Sequence, residues 1–457
     1  MSLNTHTKRE TKGLAARRRA LFLISKVLDE KRALESILDQ PGKDSLVPKD
    51  AALARAIAST VLRRKGQVDR VLAKRMQKPL GKRGGPAMNI LRLGTAQILF
   101  MDVADYAAVS LAMALAKADP RARHFAKLIN GVLRGIAREK EAILSDLKAC
   151  DILPDWVLQS WRDAYGTARC EAMARELAHE PYLDLSIKPM SPDERDTLAD
   201  QLGGLALPSG GIRLKASGAV TALTGFDDGL WWVQDMAAGL APALFGDVEG
   251  RRIADLCAAP GGKTAHLAAR GAHVTAVDIS AQRMERLHEN LERLGLAAET
   301  EIADLLEWTP QQPFDHILLD APCSATGTAR KHPDVLWLKQ PEQVAALAKL
   351  QRTLIAHCSS FLKPGGTLVF CTCSLEVEEG EAILEFVRTQ SLPLRLKPVT
   401  ADEVFGLAEI VQSNGTVRTL PCHSPLAGDA MLPPEGNEPD AVMTGLDGFF
   451  IARFEKL

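Results

Sequence analysis

No run of about 18 apolar residues occurs in the 457-residue chain, so a membrane-spanning helix is not expected. The N-terminus is polar and basic and has no apolar signal core, so a cytoplasmic protein is expected. Cysteine is sparse, with eight residues and no C-x-x-C pair. That argues against a disulfide framework and a zinc knuckle, and no metal site is expected. Cys150, Cys170, Cys358 and Cys422 read as ordinary small core or surface residues. No internal repeat is evident, and no G-x-G-x-x-G follows a strand pattern.

What is present is unevenly spread. The formal net charge is only −1, yet residues 1–140 carry 29 Lys and Arg against 12 Asp and Glu. The remainder then holds 27 basic (56 − 29) and 45 acidic (57 − 12) residues. A basic module that meets a polyanion, joined to an acidic one, fits this split; a solvated helical surface is the plainer alternative.

From Ala15 to about Arg138 the apolar period is helical, with Leu21, Ile24, Leu28 and Leu34 on one face and Ala54, Ile57, Val61 and Val68 on another. Gly81 to Pro86 interrupts the run, and residues 1–12 read as a frayed tail. This predicts an all-α domain over residues 1–145. Residues 146–235 mix strand patterns at 182–187, 211–215 and 229–233 with a short helix at 193–202, predicting a small α+β module. From residue 236 to 457 strands and helices alternate, as in a Rossmann-like α/β domain. Its expected strands are 252–256, 273–277, 300–302, 316–319 and 367–370, with helices at 280–294 and 341–362. Residues 425–448 read as a long loop, and Phe449–Phe454 as a closing edge strand.

Two of these strands stop at small residues and a cysteine: Asp320-Ala-Pro-Cys323 and Cys371-Thr-Cys373-Ser374. The carboxyl ends of parallel strands line the ligand crevice, so Cys323 and Cys373 could meet over one substrate. Upstream, Cys257-Ala258-Ala259-Pro260-Gly261-Gly262-Lys263-Thr264 follows a strand, and small residues there let backbone approach a cofactor. A nucleotide P-loop would need glycine where Cys257 stands, and Pro260 interrupts its nest of donors. Asp278 ends the next strand and suits ribose hydroxyls of NAD or S-adenosylmethionine alike; Asp304 ends the third and could accept from an adenine amino group. A lone strand-end Asp is usually a helix cap, but three in succession favour a cofactor.

These motifs resemble a known family. DLCAAPGGKT at 255–264, DAPCSATG at 320–327, RKHPD at 330–334, TCS at 372–374 and DGFFIARF at 447–454 are similar to the RNA cytosine-C5 methyltransferases of the Sun/RsmB (Fmu) type. ILRLGTAQILF at 90–100 and KLINGVLRGI at 127–136 resemble the NusB RNA-binding fold. The resemblance implies a class I methyltransferase domain, S-adenosylmethionine as cofactor and ribosomal RNA as partner, 16S rRNA or a small-subunit assembly intermediate, met by a monomer. It further implies that Cys257 through Lys263 wrap the methionine and ribose side of the cofactor. Asp278 would then bind ribose and Asp304 adenine, with Asp320 between cofactor and base. Cys373 would be the nucleophile, and Cys323 the thiol that helps release product. Three positions depart from the family pattern: Ala325 replaces a glycine, Phe370 a tyrosine, and Cys371 is an extra thiol.

The chemistry suits cysteine. A thiolate adding at carbon 6 of cytosine makes carbon 5 nucleophilic, and the same sulfur can later leave. In the rival DNA-type mechanism Cys323 would attack and Cys373 would be idle. An RNA-binding assembly factor with a vestigial pocket is a second rival, opposed by the intact acids and cysteines. A NAD-dependent dehydrogenase is a third, opposed by the missing glycine motif.

Overall fold

The structure, a computed structural model, describes residues 13–38, 46–78, 80, 84, 86–215, 218–426 and 444–457. The tail at 1–12, most of the 81–86 break and residues 427–443 of the long loop lie outside the described residues. The chain forms two compact units, Met1–Leu158 with His332–Leu338, and Gln159–Lys331 with Lys339–Leu457.

The first unit is all-α. Its helices include Leu14–Leu28, Pro48–Arg63, Lys65–Arg75, Ala87–Phe100, Asp105–Ala118 and Ala126–Arg138. Helix Ala87–Phe100 is buried along most of its length, and the others turn one stripe onto it. In Ala126–Arg138 that stripe is Ile129, Val132, Leu133 and Ile136, the i, i+3, i+4, i+7 spacing of an amphipathic helix. In the first helix the buried face is Ala16, Ala20, Leu23, Ile24 and Val27, with Leu21 and Leu28 at its flanks. His332–Leu338 clusters with this unit: Asp334 accepts the Leu34 N–H at 2.8 Å, and Trp337 donates to the Leu62 carbonyl at 2.9 Å.

The second unit holds two sheets. The smaller contains β1 (Leu183–Ile187), β2 (Leu205–Ala206), β3 (Ile212–Leu214) and β4 (Trp231–Val233), all antiparallel in the order β2-β3-β1-β4. Helix Pro192–Leu202 carries a capping box in which Ser191 and Glu194 satisfy each other's backbone N–H groups, with proline at the first turn. Its Leu198 and Ala199 pack with Leu185, Ile212, Leu214 and Trp231.

The larger sheet has eight strands: β5 (Arg252–Leu256), β6 (His273–Asp278), β7 (Glu299–Ile302), β8 (Phe314–Asp320), β9 (Leu362–Thr372), β10 (Leu394–Leu396), β11 (Val417–Thr419) and β12 (Phe449–Lys456). Their order is β10-β12-β9-β8-β5-β6-β7, with β11 paired to β12. Strands β5 to β9 are mutually parallel. The chain runs outward from β5 to β7, then crosses to β8 on the other side of β5. The β5/β8 junction is therefore the topological switch point, where open α/β sheets bind ligands.

One expectation is corrected. The C-terminal strand is not an edge: β12 lies between β9 and β10, antiparallel to both. Phe449 to Phe454 are buried without alternation, as both faces of an interior strand require. The short strands β2, β10 and β11 carry too little pattern to be foreseen. The long helix also ends earlier than expected, at Cys358, and β9 opens at Leu362.

A buried ion pair ties the small sheet to the helix Met236–Ala243. Arg213 on β3 donates to both carboxylate oxygens of Asp184 on β1, at 2.6 and 2.7 Å, with both side chains 1% exposed. Asp184 also accepts the Met236 N–H at 3.0 Å. Removing one partner leaves a buried charge without its counter-ion. Asp184→Ala should therefore destabilise the protein by about 3–5 kcal/mol. An unchanged denaturation midpoint would contradict this.

Candidate active site

Every strand from β5 to β9 delivers its carboxyl end to one edge, and the candidate residues follow those ends. After β5 the chain enters a left-handed turn at Cys257 (φ 62°) and a second at Gly261 (φ 97°). A Cβ on Gly261 would stand 2.7 Å from Leu287 Cγ, so only glycine closes this turn against the neighbouring helix. Ala258 and Ala259 are buried, and the Ala258 N–H bonds the Val277 carbonyl at 3.1 Å. Gly262 begins the next helix beside Gln234.

Asp278 ends β6 and is nearly fully buried. Its carboxylate accepts the Ala259 N–H at 3.2 Å and the Ser280 N–H at 2.9 Å, and Arg283 approaches at 3.3 Å. Arg283 also donates to the Ala259 carbonyl. Pro260, exposed, offers its carbonyl to Asn290 at 3.3 Å. Asp278 thus shapes the loop whatever it does for a ligand. Asp304 lies beyond β7, exposed, and accepts the N–H of Leu306 in its own turn at 2.9 Å. Among the described residues its carboxylate joins neither Asp278 nor Asp320.

Lys263 spans the switch point, donating to Asp320 at the end of β8 at 2.7 Å. Burial alone pulls the ammonium down, but Asp320 and nearby thiols outweigh it and hold Lys263 above its ordinary value. Beneath the loop, fully buried Asp255 accepts from the Thr264 hydroxyl at 2.6 Å, while its other oxygen has no partner among the described residues. Burial pushes this carboxyl up to about 7, against the opposing Thr264 bond.

The two cysteine turns meet. Cys323 and Cys373 stand with their sulfurs 3.4 Å apart. The hydrogen bond to Cys373, then burial, then the charge of Glu379 push the Cys323 thiol well above its ordinary range. Cys371 has a different fate. It is buried on β9, paired in register with Asp320, and donates to that carboxylate at 3.4 Å. Burial and Asp320 raise it well above the usual thiol value.

Glu379 holds these turns together and was not foreseen. Fully buried, it accepts the Ser324 N–H at 2.9 and 3.1 Å, the Ser324 hydroxyl, the Ser374 hydroxyl at 2.6 Å and the Gln351 amide at 3.1 Å. Gln351 also donates to the Pro322 carbonyl at 2.8 Å. Gly327 completes the junction: its N–H bonds the Cys373 carbonyl at 3.0 Å, and a Cβ there would stand 1.9 Å from the Gly448 carbonyl oxygen. Ala325 sits at φ 59°, in the left-handed region that favours glycine.

The RK of the RKHPD motif has a structural place too. Lys331 pairs with Asp235 at 2.5 Å and Asp447 at 3.0 Å, and buried Arg330 lies 3.7 Å from each. These cations draw Asp235 well below the usual carboxylate range, against the opposing effect of burial. They join the segments before helix Met236–Ala243 and before β12.

The residues at the switch point suit S-adenosylmethionine. Left-handed turns at Cys257 and Gly261 hold the loop close to the sheet edge, and beneath it Asp255 keeps one buried oxygen without a partner among the described residues. A mostly parallel sheet in this order, closed by an antiparallel strand beside β9 and carrying a tight loop after β5, is the class I methyltransferase architecture. A family model described as 16S rRNA methyltransferase RsmB/F matches residues 243–455, and the NusB family model matches residues 14–138. Ribosomal RNA small subunit methyltransferase B of Citrobacter koseri is 35% identical over 380 residues, 80% of this chain and 88% of that protein. Its counterpart in Escherichia coli strain K12 is 35% identical over 369 residues, 78% and 86% of the two chains. Among solved structures, PH0851 covers 97% of this chain and 98% of its own with a TM-score of 0.70, a likeness of fold at 20% identity. The chain belongs to the RsmB/F family of 16S rRNA methyltransferases, enzymes that use S-adenosylmethionine.

Two outcomes follow from this geometry. Between the unfolded value near 3.8 and the folded value near 7, folded Asp255 keeps a proton that the unfolded chain has lost. Stability from this group therefore falls as pH rises through that window, by a few kcal/mol at about 1.4 per pH unit. Asp255→Asn should flatten the slope of unfolding free energy between pH 4.5 and 7; an unaltered slope would contradict the assignment. Glu379→Ala frees both turns, and an ångström of misplacement costs about 100-fold in rate. Methyl transfer should fall by about that factor with cofactor affinity kept, and an unchanged kcat would show that the turns hold without it.

Proposed function

We propose that the protein methylates carbon 5 of a cytosine in 16S rRNA through a covalent bond between Cys373 and carbon 6 of the base. The observation that carries this is the 3.4 Å approach of two thiols from separate strands at the cofactor edge. Residues 257–263 with Asp278, Asp304 and Asp320 are the proposed cofactor cradle. In the proposed division of labour, residues 1–145 grip RNA, 146–235 help present it, and 236–457 carry the chemistry.

The Cys373 thiolate adds to carbon 6, and the electrons of the 5,6 double bond shift toward carbon 5. Bound S-adenosylmethionine supplies the electrophilic methyl group. The carbon 5 proton then passes to a solvent water, its electrons restore the double bond, and the sulfur–carbon bond breaks with its electron pair returning to Cys373. Cys323 is held as a thiol beside the attacking sulfur, so the pair divides the labour: one sulfur attacks, the other serves the breakdown of the adduct. Asp320, tied to Lys263, lines the floor between cofactor cradle and base. The base must be unstacked to reach the thiols, at a few kcal/mol unless the RNA already presents it unpaired.

Removing the nucleophile prevents the adduct, whereas removing the resolving group traps it. Cys373→Ser should abolish methyl transfer and give no covalent species with labelled rRNA on denaturing gels. Cys323→Ser should give a retarded protein–RNA band, and Cys371→Ser should retain activity. Adduct in Cys373→Ser with none in Cys323→Ser would reverse the roles and revive the DNA-type mechanism.

A further inference from the structure

The chain has three tyrosines, and one of them is spent on solvent. Tyr165 is part-buried and bonds the Leu375 carbonyl at 2.5 Å. Tyr106, in the first turn of helix Asp105–Ala118, is 81% exposed. It borders a surface cavity of about 560 Å³ between that helix and Ala126–Arg138. Val109 and Met113 form an apolar floor, and Asn130, Lys117 and Arg134 stand around it. Lys117 and Arg134 are exposed and form no ion pair with an acid among the described residues, whereas Lys65 and Arg92 of the same unit both pair with Asp69. Asp105 is the single acid of the lining.

An open aromatic face, an apolar floor, an amide and two unspent cations are what an unpaired nucleotide requires. The base stacks on the ring, the amide meets its edge, and the cations take the flanking phosphates. A duplex would not use such a hollow, because its base faces are already stacked. The excess of 29 basic over 12 acidic residues in positions 1–140 supplies the matching field. We infer that the groove between helices Asp105–Ala118 and Ala126–Arg138 binds a single-stranded RNA nucleotide, with Tyr106 as the stacking platform and Lys117 and Arg134 as phosphate contacts. This rests on the RNA-substrate reading above and names a surface for it.

The test uses the full chain and a single-stranded oligouridylate of about 12 nucleotides, followed by fluorescence anisotropy across a salt series, with rRNA methylation by the wild type measured alongside. Tyr106→Ala should weaken binding about 5- to 100-fold, and Tyr106→Phe should restore it to within about 2-fold, since stacking needs only the ring. The double substitution Lys117→Gln, Arg134→Gln should flatten the salt dependence of log K by about 1.4, or 0.7 per phosphate contact on a single strand. Wild-type affinity in Tyr106→Ala, or an unaltered salt slope in the double variant, would overturn the inference while leaving rRNA methylation intact. Loss of binding to assembled small subunits without change on the oligonucleotide would assign the groove to a protein partner and equally overturn it. A wild type that methylates no rRNA would instead overturn the functional reading, a separate result.

Discussion

The buried carboxylate of Glu379 is the constraint on which the candidate site depends. Strands β8 and β9 are neighbours about 4.8 Å apart, and their register sets Asp320 opposite Cys371. Adjacency alone does not fix the turns beyond them, because both turns leave the sheet and lose its ladder. Glu379 collects donors from Ser324 on one turn, Ser374 on the other, and Gln351 on the helix behind them. Burying a carboxylate is costly unless its lone pairs are filled, and here the donors that fill them flank the two cysteines. The cost of burial is thereby converted into a fixed distance between the sulfurs.

The same surroundings give three nearby thiols three different characters. Cys371 is locked into the sheet and bonded to Asp320, which removes it from the crevice. Cys323 shares a hydrogen bond with Cys373, is part-buried and sits in the field of Glu379, which together favour its protonated form. Cys373, half-buried, shares that contact from the other turn. Surroundings of this kind distinguish chemically identical side chains that share one edge of the sheet.

Much of this was legible in the sequence because strand ends announce themselves. Apolar runs stopping at Asp278, Asp320 and Cys373 gave the sheet edge, and helical spacing from Ala15 to Arg138 gave the first unit. The C-terminal strand reads as an edge from its place at the end of the chain, whereas its unbroken apolar run, Phe449-Phe-Ile-Ala, belongs to an interior strand. Glu379 was not legible for a different reason. It sits in Glu376-Val-Glu-Glu379, which locally reads as a solvated acidic stretch, and its partners lie 5, 28 and 55 residues away. Asp184 with Arg213, and Lys331 with Asp235 and Asp447, were hidden in the same way: spacing along one element cannot reveal a charge pair closed by tertiary structure.

The central claim is that this chain places a methyl group on carbon 5 of one cytosine in 16S rRNA. Bisulfite sequencing of 16S rRNA from cells with and without the protein tests it directly, since a 5-methylated cytosine resists conversion. The account predicts one position that is protected in the presence of the protein and converts in its absence, with protection lost again when Cys373→Ser replaces the wild type. Identical conversion maps from the two strains would contradict it.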